Sequence, residues 1–487
     1  MHCTEITRNL RCHFFSIVVL SMVSFACPAS AAPNIVVFIA DDMGWGDVGY
    51  NGSEIRTPHI DQLAAEGLTL NRFYVQAVCS PTRAALMTGR SPLRTGVMDP
   101  FNPWYTRGLP LDEKLLPEYL RELGYRTVAL GKWHLGPNLP EYHPMKRGFD
   151  SFYGSLNGYL NHETRAVFGR KDWQRDGKTV HEDGYATHLL ANEAVRVIEN
   201  HDPAQPLFLY VSFTAPHTPL QAPAATIDSY AELENDNRQI YAAMVTEMDS
   251  AIGQVMSAIR ESEMADNMLT MFFTDNGGIT RMGASNGQLR GGKGAPYEGG
   301  VRVPALMNWP GVIESGSSLD EQVVITDLLP TFVGAAGAAL DATKPVDGRN
   351  LWPALSQGES IKATPFILAN MGRSGTLHYA YYKDNYKLVS SVSTEGDVTS
   401  ALFDLVADPY EQQDQANARP DVLESMIAEL DAMEKREPVT LGERTPDRSA
   451  PGNPGAREPD SRPATATPFA ESGPVPYPEG NYASEGK

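Results

Sequence analysis

A large doubly wound α/β fold with helices on both faces of its sheet, followed by a small C-terminal α+β domain with an antiparallel sheet, is predicted for this 487-residue chain. Three observations predict it. Short unbroken apolar runs end abruptly in polar or glycine-rich turns, amphipathic helical patterns lie between them, and after about residue 360 the texture changes to short strand-like pieces closed by one helix. An unbroken apolar run suits a strand covered on both faces, and strand alternating with helix suits a sheet wound on both sides.

Residues 1–31 read as an export leader. Arg8 and Arg11 precede an apolar run from Phe14 to Ala26, and Ala29-Ser30-Ala31 offers a small-residue cleavage site. The run is short for a membrane span. Ser24-Phe25-Ala26 before Cys27 lacks the leucine expected of an acylation site, so cleavage after Ala31 is preferred over lipid anchoring at Cys27. The expectation is an exported protein, periplasmic or secreted, with no transmembrane segment after cleavage. The large domain is placed at 32–360. Its strands are Asn34 to Ala40 ending in Asp41-Asp42, Arg126 to Leu130 ending in Gly131-Lys132-Trp133-His134, Leu207 to Phe213 ending in Ala215-Pro216-His217, and Met268 to Thr274 ending in Asp275-Asn276-Gly277-Gly278. Ile60 to Glu66, Glu113 to Leu123, Ala186 to Asn200 and Asp236 to Arg260 repeat apolar residues at three-and-four spacing and read as helices. Ligands of such folds gather beyond the carboxyl ends of the strands, and every one of these ends carries an ionisable or amide side chain. The small domain is placed at 361–436, with strand-like pieces at Thr376 to Tyr382, Tyr386 to Ser391 and Ala401 to Leu405 and a helix at Pro420 to Glu434. The tail 437–487 holds ten prolines and few aliphatics, a composition that builds no core.

Acidic residues outnumber basic ones by 60 to 40, a net charge of -20; losing Glu5, Arg8 and Arg11 with the leader makes it one unit more negative. Such a chain repels nucleic acid, so any anionic ligand needs a focused cationic pocket. Of the cysteines Cys3, Cys12, Cys27 and Cys79, only Cys79 outlasts the leader. A lone thiol in an oxidising compartment calls for an explanation other than a disulfide. It stands in Cys79-Ser80-Pro81-Thr82-Arg83, followed by Ala84-Ala85-Leu86-Met87-Thr88-Gly89-Arg90. Pro81 suits a first helical turn, which puts Cys79 at a helix N-terminus, where free N–H groups and the dipole favour an anion or a thiolate.

This string, C-x-P-x-R then A-x-x-x-T-G-R, resembles the signature of the type I sulfatases, members of the alkaline phosphatase superfamily whose cysteine is oxidised to formylglycine. Ile55 to Ala65, Leu111 to Gly136 and Arg147 to Gly154 look most like the arylsulfatase B branch, the N-acetylgalactosamine 4-sulfatases. The resemblance implies an alkaline-phosphatase-like fold and a sulfuric ester hydrolase acting on a sulfated oligosaccharide or polysaccharide. It implies a metal held by Asp41, Asp42, Asp275 and Asn276 with an oxygen of modified Cys79. The residue types agree: hard oxygen donors suit Ca²⁺, and Mg²⁺ less well. It implies further that Arg83, Lys132, His134, His217 and Lys293 surround the sulfate. His134 would be the base that ends the cycle, and His217 or Lys293, with the choice open, the acid on the leaving oxygen. A maturation enzyme would make the formylglycine.

Competing expectations are a phosphonate or phosphate-ester hydrolase of the same superfamily and a non-catalytic, metal-dependent glycan-binding protein. Gly287 to Lys293 fits the phosphate-loop string G-x-x-x-x-G-K, but Gly294 follows where Ser or Thr belongs, and the glycines suit a backbone that carries Lys293 close to an oxyanion. For sugar contacts the connecting loops offer Trp104, Tyr105, Arg107, His162, Arg165 and Arg170, since rings stack and guanidinium groups grip sulfate.

Overall fold

Asn34–Ala40 is buried at every position and lies inside a ten-stranded sheet in the computed structural model, which describes residues 32–340, 344–372 and 374–436. The leader 1–31 and the proline-rich tail 437–487 lie outside the described residues. The strand order is Ser317–Leu319, Leu68–Leu70, Ala305–Asn308, Met268–Thr274, Asn34–Ala40, Leu207–Ser212, Arg126–Lys132, Ser151–Ser155, Gln174–Arg175, Lys178–Thr179. The run from Met268–Thr274 to Ser151–Ser155 is parallel throughout. Antiparallel pairs enter on both sides of it, at Ala305–Asn308 and at Gln174–Arg175, so the sheet is mixed. These flanking strands are short, with at most four residues, and carry no long apolar run for sequence to betray.

Why the parallel strands read as unbroken apolar runs is visible in the packing. Along Asn34–Ala40, Ile35, Val37 and Ile39 face one core, which also holds Ala84, Leu86, Leu116, Leu120 and Leu329. Val36, Phe38 and Ala40 face the other, with Leu190, Val197, Met244, Met248 and Ile252. Helices Cys79–Thr88, Leu116–Glu122 and Leu328–Ala335 cover the first face, and Ala186–Glu199 and Asp236–Arg260 the second. Burying a leucine or isoleucine fully is worth about 1.5–3 kcal/mol, so neither face is free to become polar.

Register brings the strand ends level. Ala40 pairs with Thr274, Ile39 with Ser212, and Ser212 with Gly131. The amide of Asp275 donates to Ala40 O at 3.1 Å, and that of Asp41 to Ala215 O at 3.0 Å. Gly131 is required here. Its φ is 90°, and a Cβ would sit 1.9 Å from Ser212 O.

The C-terminal unit is a four-stranded antiparallel meander, Phe366–Met371, Leu377–Lys383, Tyr386–Val392 and Val398–Asp404, with the helix Pro420–Arg436. Met426 and Leu430 of that helix pack with Ala369, Tyr379, Tyr381, Leu388 and Leu402. The first strand of this sheet escapes sequence reading. Among the described residues no helix is long and apolar enough to cross a membrane.

Candidate active site

Helix Cys79–Thr88 begins at Cys79 itself, with Val78 as its extended N-cap, so Cys79 stands at the helix N-terminus and Pro81 in the first turn, as the sequence suggests. Thr82 Oγ1 accepts from Gln76 N at 3.0 Å and donates to Gln76 O at 3.1 Å, locking the loop that leads in. Cys79 is a free thiol only 2 % exposed. Burial pushes it up, against the pull of Lys132 and Lys293.

The residues expected at the strand ends converge on this thiol. Cys79 Sγ and carboxylate oxygens of Asp41 and Asp275 lie within 4.8 Å of one another, as do ligand atoms of Asp41, Asp42 and His217. Three cations face the three carboxylates. Lys132 Nζ donates to Asp41 at 2.7 Å and lies 4.0 Å from Asp275; Lys293 Nζ donates to Asp42 at 2.5 Å; Arg83 Nη2 donates to Asp275 at 2.8 Å. Arg83 is consumed by structure: Nε also reaches Asp275, and Nη1 donates to Lys132 O, Tyr210 Oη and Ser212 Oγ. Burial raises Asp41 to about 8 against the pull of Lys132. Burial would raise Asp42 as well, but Lys293, His217 and Lys132 together hold it below the usual range.

Three acceptor oxygens in this cluster have no donor: Asp41 Oδ1, Asp42 Oδ2 and Asn276 Oδ1. Asn276 is oriented by Nδ2 donating to Asp42 Oδ1 at 2.8 Å, which leaves its carbonyl oxygen free. A buried acceptor without a partner costs about 1–3 kcal/mol. Several of them, all oxygen, fit a hard divalent cation.

The two histidines differ in proton placement. His134 Nε2 lies 2.9 Å from Phe101 O, so the carbonyl assigns the hydrogen to Nε2, and the lone pair falls on Nδ1, which is buried without a partner. Burial, then Lys132 and Arg83, hold this imidazole well below its ordinary range. His217 Nδ1 lies 2.7 Å from Thr218 O, which places its hydrogen there and leaves Nε2 facing Asp42 at 3.5 Å. Burial pushes His217 down to about 3, against the opposing pull of Asp42. His134 sits at φ 58° and Asp42 at φ 70°, left-handed conformations uncommon for residues other than glycine. Gly158 makes room for the His134 ring, since a Cβ there would lie 2.2 Å from its Cε1.

Lys293 lies in a loop held by its neighbours: Lys293 N donates to Gly278 O, Gly294 N to Ala77 O, and Asn370 Nδ2 of the C-terminal sheet to Gly294 O at 3.2 Å. No helix follows Lys293 directly, which removes the phosphate-loop reading. Among the candidate sugar contacts, His162 is fully buried behind His217, with Nε2 on His217 O at 2.9 Å. Arg165 is buried on the carbonyls of Glu163, Glu182 and Gly184, and Arg107 pairs with Asp99 at 2.8 Å. Arg165 thus serves the fold, while Arg107 stays partly exposed and Arg170 lies half-buried in the strand Arg170–Lys171. Trp104 and Tyr105 remain half-buried at the rim. Phe168 and Tyr159, which sequence reading passes over, join them there.

Comparison with known proteins assigns the chain a family. The Sulfatase family model matches residues 33–338, and that of the N-sulphoglucosamine sulphohydrolase C-terminal region matches 292–436. Arylsulfatase J of Mus musculus is 39% identical over 338 residues, 68% of this chain; the match spans 56% of that relative's length, little more than half. N-acetylgalactosamine-6-sulfatase of Homo sapiens is 36% identical over 359 residues, covering 68% of this chain and 67% of the relative. The solved structure of Ps i-CgsB in complex with k-i-k-neocarrahexaose superposes with a TM-score of 0.77 at 35% identity, covering 83% of this chain and 93% of that one. The chain belongs to the sulfatase family.

Proposed function

We propose that this protein is an exported sulfuric ester hydrolase that releases sulfate from a sulfated carbohydrate, using a formylglycine made from Cys79 and a bound Ca²⁺. One observation carries the reading: around the buried Cys79, the carboxylates of Asp41 and Asp42 and the amide of Asn276, from two adjacent parallel strand ends, leave unpartnered oxygens while three cations surround them. The relatives' names support sulfated carbohydrate as substrate, since N-acetylgalactosamine-6-sulfatase and a neocarrahexaose complex are among them. The leader supports export, and a maturation enzyme would act on the segment Cys79 to Arg83.

Asp41, Asp42, Asp275 and Asn276 would hold the cation, whose charge, when bound, would offset negative charge on the transferring sulfuryl group. An aldehyde at position 79 supplies, in its hydrate, an oxygen nucleophile that a buried neutral thiol lacks. Arg83 fixes the carboxylate of Asp275, and Lys132 that of Asp41, so these two position the ligands. Lys293 is the more accessible cation, with its side chain 16% exposed, and it stays protonated because the acidic groups around it, Asp42 foremost with Cys79, Asp41 and Asp275, together outweigh its desolvation. It is the group that carries a proton free to reach the leaving sugar oxygen, because the one hydrogen of neutral His217 is held on Thr218 O. His134 presents an unpartnered Nδ1 lone pair and stays neutral, as a general base requires.

The test is to assay sulfate and phosphate release from sulfated oligosaccharides, an aryl sulfate and a phosphate ester, with calcium content and the mass of the residue-79 peptide measured on the same preparation. Sulfate release that disappears in Cys79→Ala, with bound calcium and an aldehyde at 79, is the expected result. Phosphate release alone would replace this reading with a phosphoesterase, and an intact thiol with glycan binding but no turnover would replace it with a binding protein.

A further inference from the structure

Resting on the sulfatase reading, we infer that Phe168, together with Trp104 and Tyr159, forms an aromatic platform for the sugar unit next to the sulfated one. The argument begins with a turn that is costly to build this way. Ala166–Val167 pairs with Arg170–Lys171 as a two-stranded hairpin whose turn is Phe168-Gly169. Both turn residues have positive φ, 48° and 77°, the signature of a type I′ turn, for which Asn-Gly or Asp-Gly is the ordinary choice. A phenylalanine at that position is a conformational outlier. Its side chain gains nothing from the core in return, since Phe168 is 64% exposed. The described residues include few exposed large hydrophobics, and Phe168 is the one aromatic among them.

What Phe168 touches gives the arrangement a direction. Its ring lies 5.6 Å from Tyr159 at 87° and 6.4 Å from Trp104 at 33°. Tyr159 in turn stacks on His217 at 6.3 Å and 12°. A continuous row of rings thus runs from the histidine that faces Asp42 outward to an exposed hairpin tip. Of the nearby guanidinium groups, Arg107 is paired with Asp99 and Arg165 with backbone carbonyls, while Arg170 stands half-buried in the hairpin itself, so the wall presents ring faces with one guanidinium group beside them. The C–H face of a pyranose meets the negative face of an aromatic ring favourably, and its hydroxyls stay in water. Tyr159, next to His217, adjoins the unit that carries the sulfate; Phe168 and Trp104, one ring further out, meet its neighbour in the chain.

The experiment compares wild type with Phe168→Ala, Phe168→Asn and Phe168→Tyr. It measures kcat and KM on 4-nitrophenyl sulfate and on whichever member of a panel of sulfated galactan and glycosaminoglycan oligosaccharides the wild type desulfates fastest. The expected result is that the ratio of kcat/KM on the oligosaccharide to that on the aryl ester falls about tenfold in Phe168→Ala and Phe168→Asn. The fall should come through KM, and Phe168→Tyr should retain the ratio. Phe168→Asn should also raise Tm, because asparagine suits the turn, which separates lost binding from lost folding. An unchanged ratio, or a fall carried by kcat alone, overturns the platform. So does a wild type that cleaves the aryl ester and no glycan of the panel, a result that leaves the sulfatase reading standing. Inactivity on every sulfate ester overturns the sulfatase reading itself and takes the platform with it.

Discussion

Two clusters of buried charge share this molecule, and they are finished differently. In the first, Asp41, Asp42, Asp275 and Asn276 meet Arg83, Lys132 and Lys293 beside Cys79 and still leave three oxygens without donors. In the second, Glu298 sits where the C-terminal sheet meets the large domain. Its carboxylate accepts from Tyr382 at 2.9 Å, Tyr74 at 3.0 Å and Lys387 at 3.1 Å. Glu411 Oε2 accepts from Glu298 N at 2.7 Å, and Glu411 Oε1, out of hydrogen-bond alignment, stands in ion-pair contact with Lys387 at 2.7 Å. Desolvation is costly in both. The second cluster leaves one oxygen, Glu411 Oε1, without a hydrogen bond, holds it in the ion pair with Lys387, and spends its other interactions on docking the C-terminal unit. The first is open, and its unmet oxygens point to a ligand. Buried charge alone therefore does not mark a site; buried charge with unspent bonding capacity does.

Two lysines make the sharpest test of that contrast. Lys293→Met should lower kcat on the sulfated substrate by about 10²–10⁴, with Tm of the calcium-loaded protein close to wild type; a variant that keeps its rate would close the open cluster. Lys387→Met should do the reverse. It strands Glu298 and Glu411 without their shared cation and costs about 3–5 kcal/mol, read by urea unfolding, while whatever remains folded keeps much of its rate. Equal losses of activity and stability in both variants would erase the distinction.

His162 lies at the border, fully buried and bonded to His217 O. Burial pushes it down to about 4 from an ordinary 6.5. Its folded value lies below its unfolded one, so the unfolded chain binds more protons between those limits. The contribution is complete above pH 6.5 and is lost as pH falls towards 4. The loss is on the order of 3 kcal/mol at most. Tm measured across that window should decline with acid, and His162→Gln should flatten the decline; an unchanged slope would show that the imidazole is free to protonate. Smallest is the effect of the cation. Calcium at about 100 times its Kd should stabilise the folded protein by about 2.7 kcal/mol, and Asp41→Asn should abolish the shift in Tm. A calcium response retained in that variant would place the ion elsewhere.

Much of this was legible before any coordinates. Asp41, Asp42, Lys132, His134, His217, Asp275 and Asn276 all follow directly after apolar runs, and a parallel sheet in register must bring such residues to one edge, as the pairing of Ala40 with Thr274 and Ser212 with Gly131 does. Strands Asn34–Ala40 and Met268–Thr274 and helix Asp236–Arg260 begin and end where their patterns do. What escaped depends on distant partners. Lys387, Glu298 and Glu411 are separated by up to 113 residues, and nothing local marks them as buried. Phe366–Met371 alternates poorly and is defined by its neighbour Leu377–Lys383. His162 and Arg165 read as sugar contacts because their residue types are right, and only their burial reassigns them. Phe168 had a local signal, a bulky residue before glycine in a tight hairpin, but its meaning required seeing Tyr159 and Trp104 beside it.

The claim that the open cluster is a formylglycine sulfate-ester site is tested most directly by preparing the protein with graded levels of maturation enzyme. In each preparation the fraction of residue 79 present as aldehyde is measured by mass spectrometry, and sulfate release per molecule is measured beside it. The account predicts that turnover rises in proportion to the aldehyde fraction and vanishes when residue 79 is wholly a thiol. Turnover undiminished in the all-thiol preparation, or no sulfate release from a fully converted one, would contradict it.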